Sequence, residues 1–513
     1  MKKQKIILGG AALMLASLMT GCGETTIEVQ LPDLIPVSQL EEKYNENNKI
    51  EINLWTGFGS TMSDALQEVI DSFETKYPYI SIKHEQKGGY DKLHSAVVNS
   101  IPSSSYPNVA VGYPDHFADY ISSNIQYALD GYIESEEYGV DLSDYYSQYM
   151  RENQSLLYKD DAKTKPYTMG IPFNKSTEVM VYNNDFFEAF DLTVPTTWDE
   201  VVTTGKNIIE IIKTKDGANH FNTNWTYKNP TTNKEYTFDF TGVSESDFYP
   251  ISYDSQANFF ITMVYQFGGK YTKMGDNLEE GYMVFKDDEK VLEALNFVQN
   301  MYKQHVLGIP TVWNETSYCS VPFKALKSVM TISSSAGITN NIPSGDKFSV
   351  GIAPIPYKDA SKKFVISQGT NMAIFKSDAE HALASWLFIR YATGGEASAE
   401  ENANVDFAIA SGYLPVTQSG EESDWYKQYL AMDQGKISAS DKAKISVQKI
   451  ANDVYIKENW DKFVDAAFIG SSIIREEVTN IIPLFVTGGS GKVYSPEDAI
   501  KLVYSQLPEY VEK

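Results

Sequence analysis

Met169-Gly-Ile-Pro-Phe-Asn-Lys-Ser-Thr-Glu-Val-Met-Val-Tyr-Asn-Asn-Asp-Phe-Phe187 changes character twice along its length. Residues 170–177 include Gly170, Pro172, Asn174 and Ser176, and they read as a turn-rich loop. Val179-Met180-Val181-Tyr182 then reads as a short buried strand. Asn183, Asn184 and Asp185 supply a cap for a helix beginning at Phe186. Just downstream, Thr197 and Glu200 stand at capping-box spacing for a second helix.

The same alternation of strand and helix extends outward in both directions. Ile50, Ile52 and Leu54 alternate with polar residues, as in a strand. Met62, Leu66, Val69, Ile70, Phe73 and Tyr77 recur at helical spacing until Pro78. Ile80 and Ile82 begin a second strand, Leu93, Val97, Val98 and Ile101 mark a helix, and Val109-Ala110-Val111 a third strand. Strands separated by helices predict parallel βαβ units and an α/β fold. Residues 214–252 break the pattern with Asn, Thr, Lys and Tyr. There Tyr236, Phe238 and Phe240 alternate, predicting an inserted loop or hairpin. Helical periodicity returns at Val291, Leu295, Val298 and Tyr302, and Ser495-Pro496 opens a last helix.

With 513 residues the chain exceeds one ordinary domain, and 42% hydrophobic residues are ample for large cores. Its formal charge of −25 argues against nucleic acid or an anionic membrane surface as partner. Only Cys22 and Cys319 are present. Lys2, Lys3 and Lys5 precede an apolar stretch over residues 6–18, which has the composition of a secretory signal and is short for a membrane span. Residues 23–48, polar and acidic, read as a tether, with order expected from Ile50. Cys319 is expected to be a buried free thiol.

Signatures of catalysis are missing. Gly488-Gly489-Ser490-Gly491-Lys492 lacks the first glycine of a phosphate loop and has Val493 where magnesium-binding Ser or Thr belongs. No Gly-x-Ser-x-Gly elbow occurs, and the six histidines include no i, i+4 pair for zinc. Neither a cofactor nor a metal is expected. The 68 carboxylates can always supply a glycosidase pair, so a secreted glycan or phosphodiester hydrolase stays open as the rival class.

The run from Met169 to Glu200 resembles the place where the chain enters the second lobe of ABC-transporter extracellular solute-binding proteins. Pro172-Phe-Asn-Lys-Ser-Thr177 is most similar to the glycerol-3-phosphate-binding branch. Further similarities follow in order: Leu54-Trp-Thr-Gly-Phe-Gly59, Gly88-Gly-Tyr-Asp91, Gly112-Tyr-Pro-Asp115, the serine turn Ser333-Ser334-Ser335, Gln368-Gly-Thr-Asn371, Ser411-Gly-Tyr-Leu-Pro415 and Gly470-Ser-Ser-Ile-Ile-Arg475. Met19-Thr-Gly-Cys22 resembles a lipoprotein cleavage site, making residues 1–22 a signal peptide. That implies a lipid on Cys22 and an anchor to the outer face of the cell membrane. An ordinary signal peptide or an uncleaved anchor is the other reading of those residues.

The resemblance implies a two-lobed α/β fold with the ligand in the cleft. Lobe one is expected over 49–166 and 319–376, and lobe two over 167–318 and 377–513. It implies a binding protein rather than an enzyme, delivering a small-molecule solute to permease subunits driven by a separate ATPase. The implied ligand residues are Tyr90, Asp115, Ser176, Ser334, Gly369, Tyr413 and Arg475. Arg475 offers a planar fork for phosphate, serine hydroxyls and loop amides offer neutral donors, and Tyr90 and Tyr413 can cover a carbon skeleton. Taken singly, each also suits a plain role: a packed tyrosine, a helix-capping serine, a turn glycine, a solvated helix arginine. Glycerol-3-phosphate or a related phosphorylated or sugar solute is the expected cargo, with a neutral sugar or oligosaccharide as the alternative.

Overall fold

The stretch that opens the sequence is one long strand rather than a loop followed by a short strand. The computed structural model describes residues 27–512 apart from 161, 398–400, 464–465 and 490, and in it Ile171–Asn183 is continuous. The turn-forming composition of residues 170–177 is overridden because almost every side chain there is buried, and the polar ones find partners. Asn174 bonds Tyr90 and Thr370, Lys175 bonds Glu152, and the Thr177 hydroxyl donates to the Ile366 carbonyl at 2.9 Å. The helix beyond begins as expected, with Asn183 accepting the Phe186 amide, and Thr197 and Glu200 form the full capping box of the next helix.

The main sheet has ten strands: β1 (Ile50–Thr56), β2 (Ile80–Gln86), β3 (Val109–Gly112), β4 (Ile171–Asn183), β5 (Ile251–Tyr253), β6 (Leu307–Gly308), β7 (Met330–Ser334), β8 (Val350–Ala353), β9 (Phe364–Ile374) and β10 (Asp461–Phe463). Its order is β6-β5-β7-β4-β9-β3-β1-β2, with β8 on β4 and β10 on β9. The predicted parallel units are present as β1 with β2 and β3 and as β5 with β6 and β7. The helices include α1 (Val37–Lys43), α2 (Ser60–Lys76), α3 (Tyr90–Ser100), α4 (Pro114–Ser122), α5 (Gln256–Gln266) and α6 (Ser471–Val478).

Two large cores define two lobes. Ile52, Leu54, Leu66, Phe73 and Val111 belong to lobe one, and Val179, Val181, Ile251, Leu295 and Val503 to lobe two. Strands β4 and β9 run between them side by side. Ile171 and Phe173 of β4 lie in the first core and Val179 to Val181 in the second, while on β9 Phe364 to Ile366 lie in the second and Met372 to Ile374 in the first. Their antiparallel pairing shifts register between Thr370 and Asn371, so the connection between the lobes carries a bulge.

This placement corrects the expected boundaries. Val329, Ile332, Ile338 and Phe348, assigned from sequence to lobe one, pack in lobe two, whereas Leu383, Trp386, Phe407 and Val416, assigned to lobe two, pack in lobe one. The chain returns to lobe one along β9, not near residue 319, and re-enters the second core by Ala443. The expected tether is corrected too, since residues 27–48 are folded onto lobe one. Leu40 of α1 is wholly buried, and Lys43 and Tyr44 both bond Glu380, at 2.6 and 2.7 Å. The signal segment and Cys22 lie outside the described residues. Residues 214–252 do contain a hairpin, Asn224–Lys228 against Glu235–Asp239, whose Trp225, Tyr236 and Phe238 are buried in lobe two. Cys319 is a buried free thiol. No helix of the described residues is long and apolar enough to cross a membrane.

Candidate functional site

Strand β4 runs from the core of one lobe to that of the other, and its side chains alternate between two faces. Side chains two residues apart share a face, so Asn174, Ser176 and Glu178 line one side while Lys175 and Thr177 face the other. At the lobe-one end, Asn174 donates to the hydroxyl of Tyr90 (3.3 Å), the first residue of α3. Tyr90 is also hydrogen-bonded to Tyr413, and its ring meets Tyr113 edge-on at 5.1 Å and Phe58 at 6.4 Å. Burial pushes the Tyr90 and Tyr413 phenols well up, so both stay protonated. Tyr318, 68% exposed on the opposite lobe, comes near both phenols.

The lobe-two end is polar. Glu178, 1% exposed, accepts from Tyr253 Oη (2.5 Å) and Asn258 Nδ2 (3.0 Å). The same Asn258 amino group reaches Gln368 Oε1 at 3.2 Å, and Gln368 Nε2 donates to Ser334 Oγ at 3.0 Å. Arg475 on α6 donates through Nη2 to Asn258 Oδ1 at 2.6 Å and lies 5.5 Å over the Phe463 ring. Burial pushes the Glu178 carboxyl up to about 7 even though Tyr253, Asn258 and Arg475 all favour its ionised form.

Asp115 approaches this end from lobe one. It stands in the first turn of α4, is 6% exposed, and its Oδ1 has no hydrogen-bond partner. Burial raises its pKa above the usual carboxylate range, and the charge of Arg475 across the cleft is the largest influence opposing that. Helix α6 packs against α4 here, and Leu278 and Ile469 of lobe two join the lobe-one core, so the lobes touch along this edge.

Of the residues expected from sequence, the structure therefore brings Asp115, Ser334 and Arg475 to one end, Tyr90 and Tyr413 to the other, and Ser176 between them. Gly369 stands apart. Its carbonyl accepts Lys175 Nζ at 3.2 Å, its φ is +105°, and a Cβ there would come within 1.8 Å of the Asn174 carbonyl oxygen. Close strand crossing requires a glycine here. The sequence reading passed over Asn174, Glu178, Asn258 and Gln368. A signal for the first two was available: polar residues at positions 174, 176 and 178, spaced by two beside a strand core.

Such an arrangement defines a class of protein: two lobes joined by paired strands, with an aromatic and a hydrogen-bonding wall facing across the gap. Residues 68–434 match the model of the bacterial extracellular solute-binding protein family, and the chain belongs to that family. It is an extracellular solute-binding protein. Solved structures share the fold. A Listeria monocytogenes ABC substrate-binding protein in complex with cycloalternan superposes with a TM-score of 0.64 at 16% identity, over 90% of this chain and 98% of that one. UgpB of Mycobacterium tuberculosis, solved with glycerophosphocholine, gives 0.63 at 18%, over 90% and 98%. Maltose-bound MalE3 of T. maritima gives 0.63 at 16%, over 90% and 100%. The family and these neighbours are binding proteins rather than enzymes.

Proposed function

We propose that the protein captures a neutral polyhydroxylated solute, a sugar or short oligosaccharide, and hands it to the permease of its transporter. The observation that carries this reading is Asp115: a buried carboxylate oxygen without a donor, facing Arg475 from the other lobe. A hydroxyl can donate to Asp115 Oδ1 and accept from Arg475 at once. A phosphate group, which mainly accepts, has no hydrogen to give to that oxygen, and to the ionised carboxylate it is a like charge. The tyrosines at the other end supply apolar faces with hydroxyl edges, the mixture that suits a sugar ring. The maltose and cycloalternan complexes of the fold neighbours are consistent with this class.

The second reading is a glycerol phosphate or its ester, favoured by the guanidinium of Arg475 and by the glycerophosphocholine complex of a neighbour. Calorimetric titration of the purified protein with maltotriose, mannotriose, glycerophosphocholine and glycerol-3-phosphate separates the two. Binding by an oligosaccharide with none by the phosphates supports the first; the reverse overturns it. The same proposal places the protein on the outer face of the membrane, held by a lipid on Cys22, with the ATPase in a separate subunit.

A further inference from the structure

Arg475 reaches the cleft through an amide whose two ends are chemically opposite. Asn258 Oδ1 accepts from Arg475 at 2.6 Å, so its Nδ2 must find acceptors behind, and it finds Glu178 Oε1 at 3.0 Å and Gln368 Oε1 at 3.2 Å. Glu178 is itself fixed by the Tyr253 hydroxyl on its other oxygen, and Tyr455 Oη donates to its backbone carbonyl at 2.9 Å. Ionised, the carboxylate is acceptor-only, so it admits one orientation of Asn258.

We propose that Glu178 is a positioning residue for solute capture: by holding the amino end of Asn258, it turns the carbonyl end toward Arg475 and thereby aims the guanidinium into the cleft. The inference rests on the reading that Arg475 contacts the solute, but the orientation itself does not depend on a solute. Gln368 Oε1 shares the task at 3.2 Å, and Glu178, at 3.0 Å, is the acidic acceptor of the two. Tyr253 and Tyr455 contact it as donors, and Asp254, the nearest other acid, is pushed by burial up to about 7 and instead accepts the Cys319 amide at 2.7 Å. Asp115 faces Arg475 from lobe one and does not reach Asn258 by any hydrogen bond among the described residues.

An exchange of partners tests the relay. In Glu178→Gln with the amide oxygen kept on the Tyr253 hydroxyl, its 2.5 Å donor, the amino group faces Asn258, which then rotates and presents its own amino group to Arg475. Adding Asn258→Asp restores an acceptor to both neighbours, since the carboxylate introduced there accepts from the new amide at position 178 and from Arg475 together. The chain has three arginines, Arg151, Arg390 and Arg475, so the Arg475 side-chain Nε–H resonance can be assigned by its loss in Arg475→Lys. In ligand-free protein we expect that resonance to move in Glu178→Gln and to return in the double variant. Maltotriose affinity, read by calorimetry, should fall about tenfold or more and recover to within about threefold. The double variant also shows that the loss is not one of folding. An Arg475 resonance unchanged in Glu178→Gln overturns the relay. A resonance that behaves as expected in a protein that binds no maltotriose upholds the relay and refutes the sugar reading instead.

Discussion

The ion pair at the lobe connection should behave as a unit. Lys175 Nζ lies 2.5 Å from Glu152 Oε2, with side-chain exposures of 0% and 4%, and also donates to the Gly369 carbonyl of the neighbouring crossing strand. Lys175→Met leaves Glu152 charged and buried, which should cost about 3–5 kcal/mol, and Glu152→Gln leaves Lys175 in the same position at a similar cost. The double variant removes both charges. It retains mainly the loss of a donor to Gly369, about 1–3 kcal/mol, so its destabilisation should fall well short of the sum of the singles. Equilibrium urea denaturation of the four proteins measures the difference, and a coupling of about 2 kcal/mol or more is expected. Additivity within about 0.5 kcal/mol would refute the view that these side chains form a dry, mutually dependent pair beneath β4 and β9.

Three further outcomes are expected, two from this geometry and one from the sequence around Cys22. Gly369→Ala should destabilise the fold by more than about 1 kcal/mol, because φ is +105° and Asn174 blocks a Cβ, whereas Gly59→Ala, with nothing within 4 Å, should change the melting temperature little. Arg475→Ala should weaken solute binding by about ten- to a hundredfold with the melting temperature nearly unchanged, and Arg475→Lys should recover only part, both read by calorimetry and thermal denaturation. Cys22→Ser should abolish metabolic lipid labelling; labelling that persists would refute the anchor.

Much of the architecture was legible because it rests on short-range signals. Period-two and helical spacing gave β1, β2, β3, α2 and α3, and side-chain caps gave the helix starts at Asn183, Thr197 and Ser495. The errors came where long-range contact decides. Residues 170–177 look like a loop until Glu152, Tyr90 and Thr370 are brought to them by other parts of the chain. The lobe boundaries failed for the same reason: Phe364 and Met372 lie on one strand, and only the packing on each end says that they belong to different cores. In the site, the motif residues Tyr90, Asp115, Tyr413 and Arg475 came from resemblance, while Asn258 has no local signal. Asn258 stands 80 positions along the chain from Glu178 and 110 from Gln368, and only the fold brings the three together.

The most direct test of the central claim, that the two lobes close on a neutral polyhydroxylated solute between Asp115 and Arg475, is the effect of Asp115→Asn on affinity for maltotriose and for glycerol-3-phosphate in parallel titrations. Replacing a charged acceptor by a neutral one should weaken the sugar by about five- to tenfold, since charge-assisted hydrogen bonds are roughly twice as strong as neutral ones. The account predicts that loss for maltotriose and no measurable binding of glycerol-3-phosphate to the native protein. Glycerol-3-phosphate that binds the native protein, and binds more tightly once the carboxylate is gone, would contradict it.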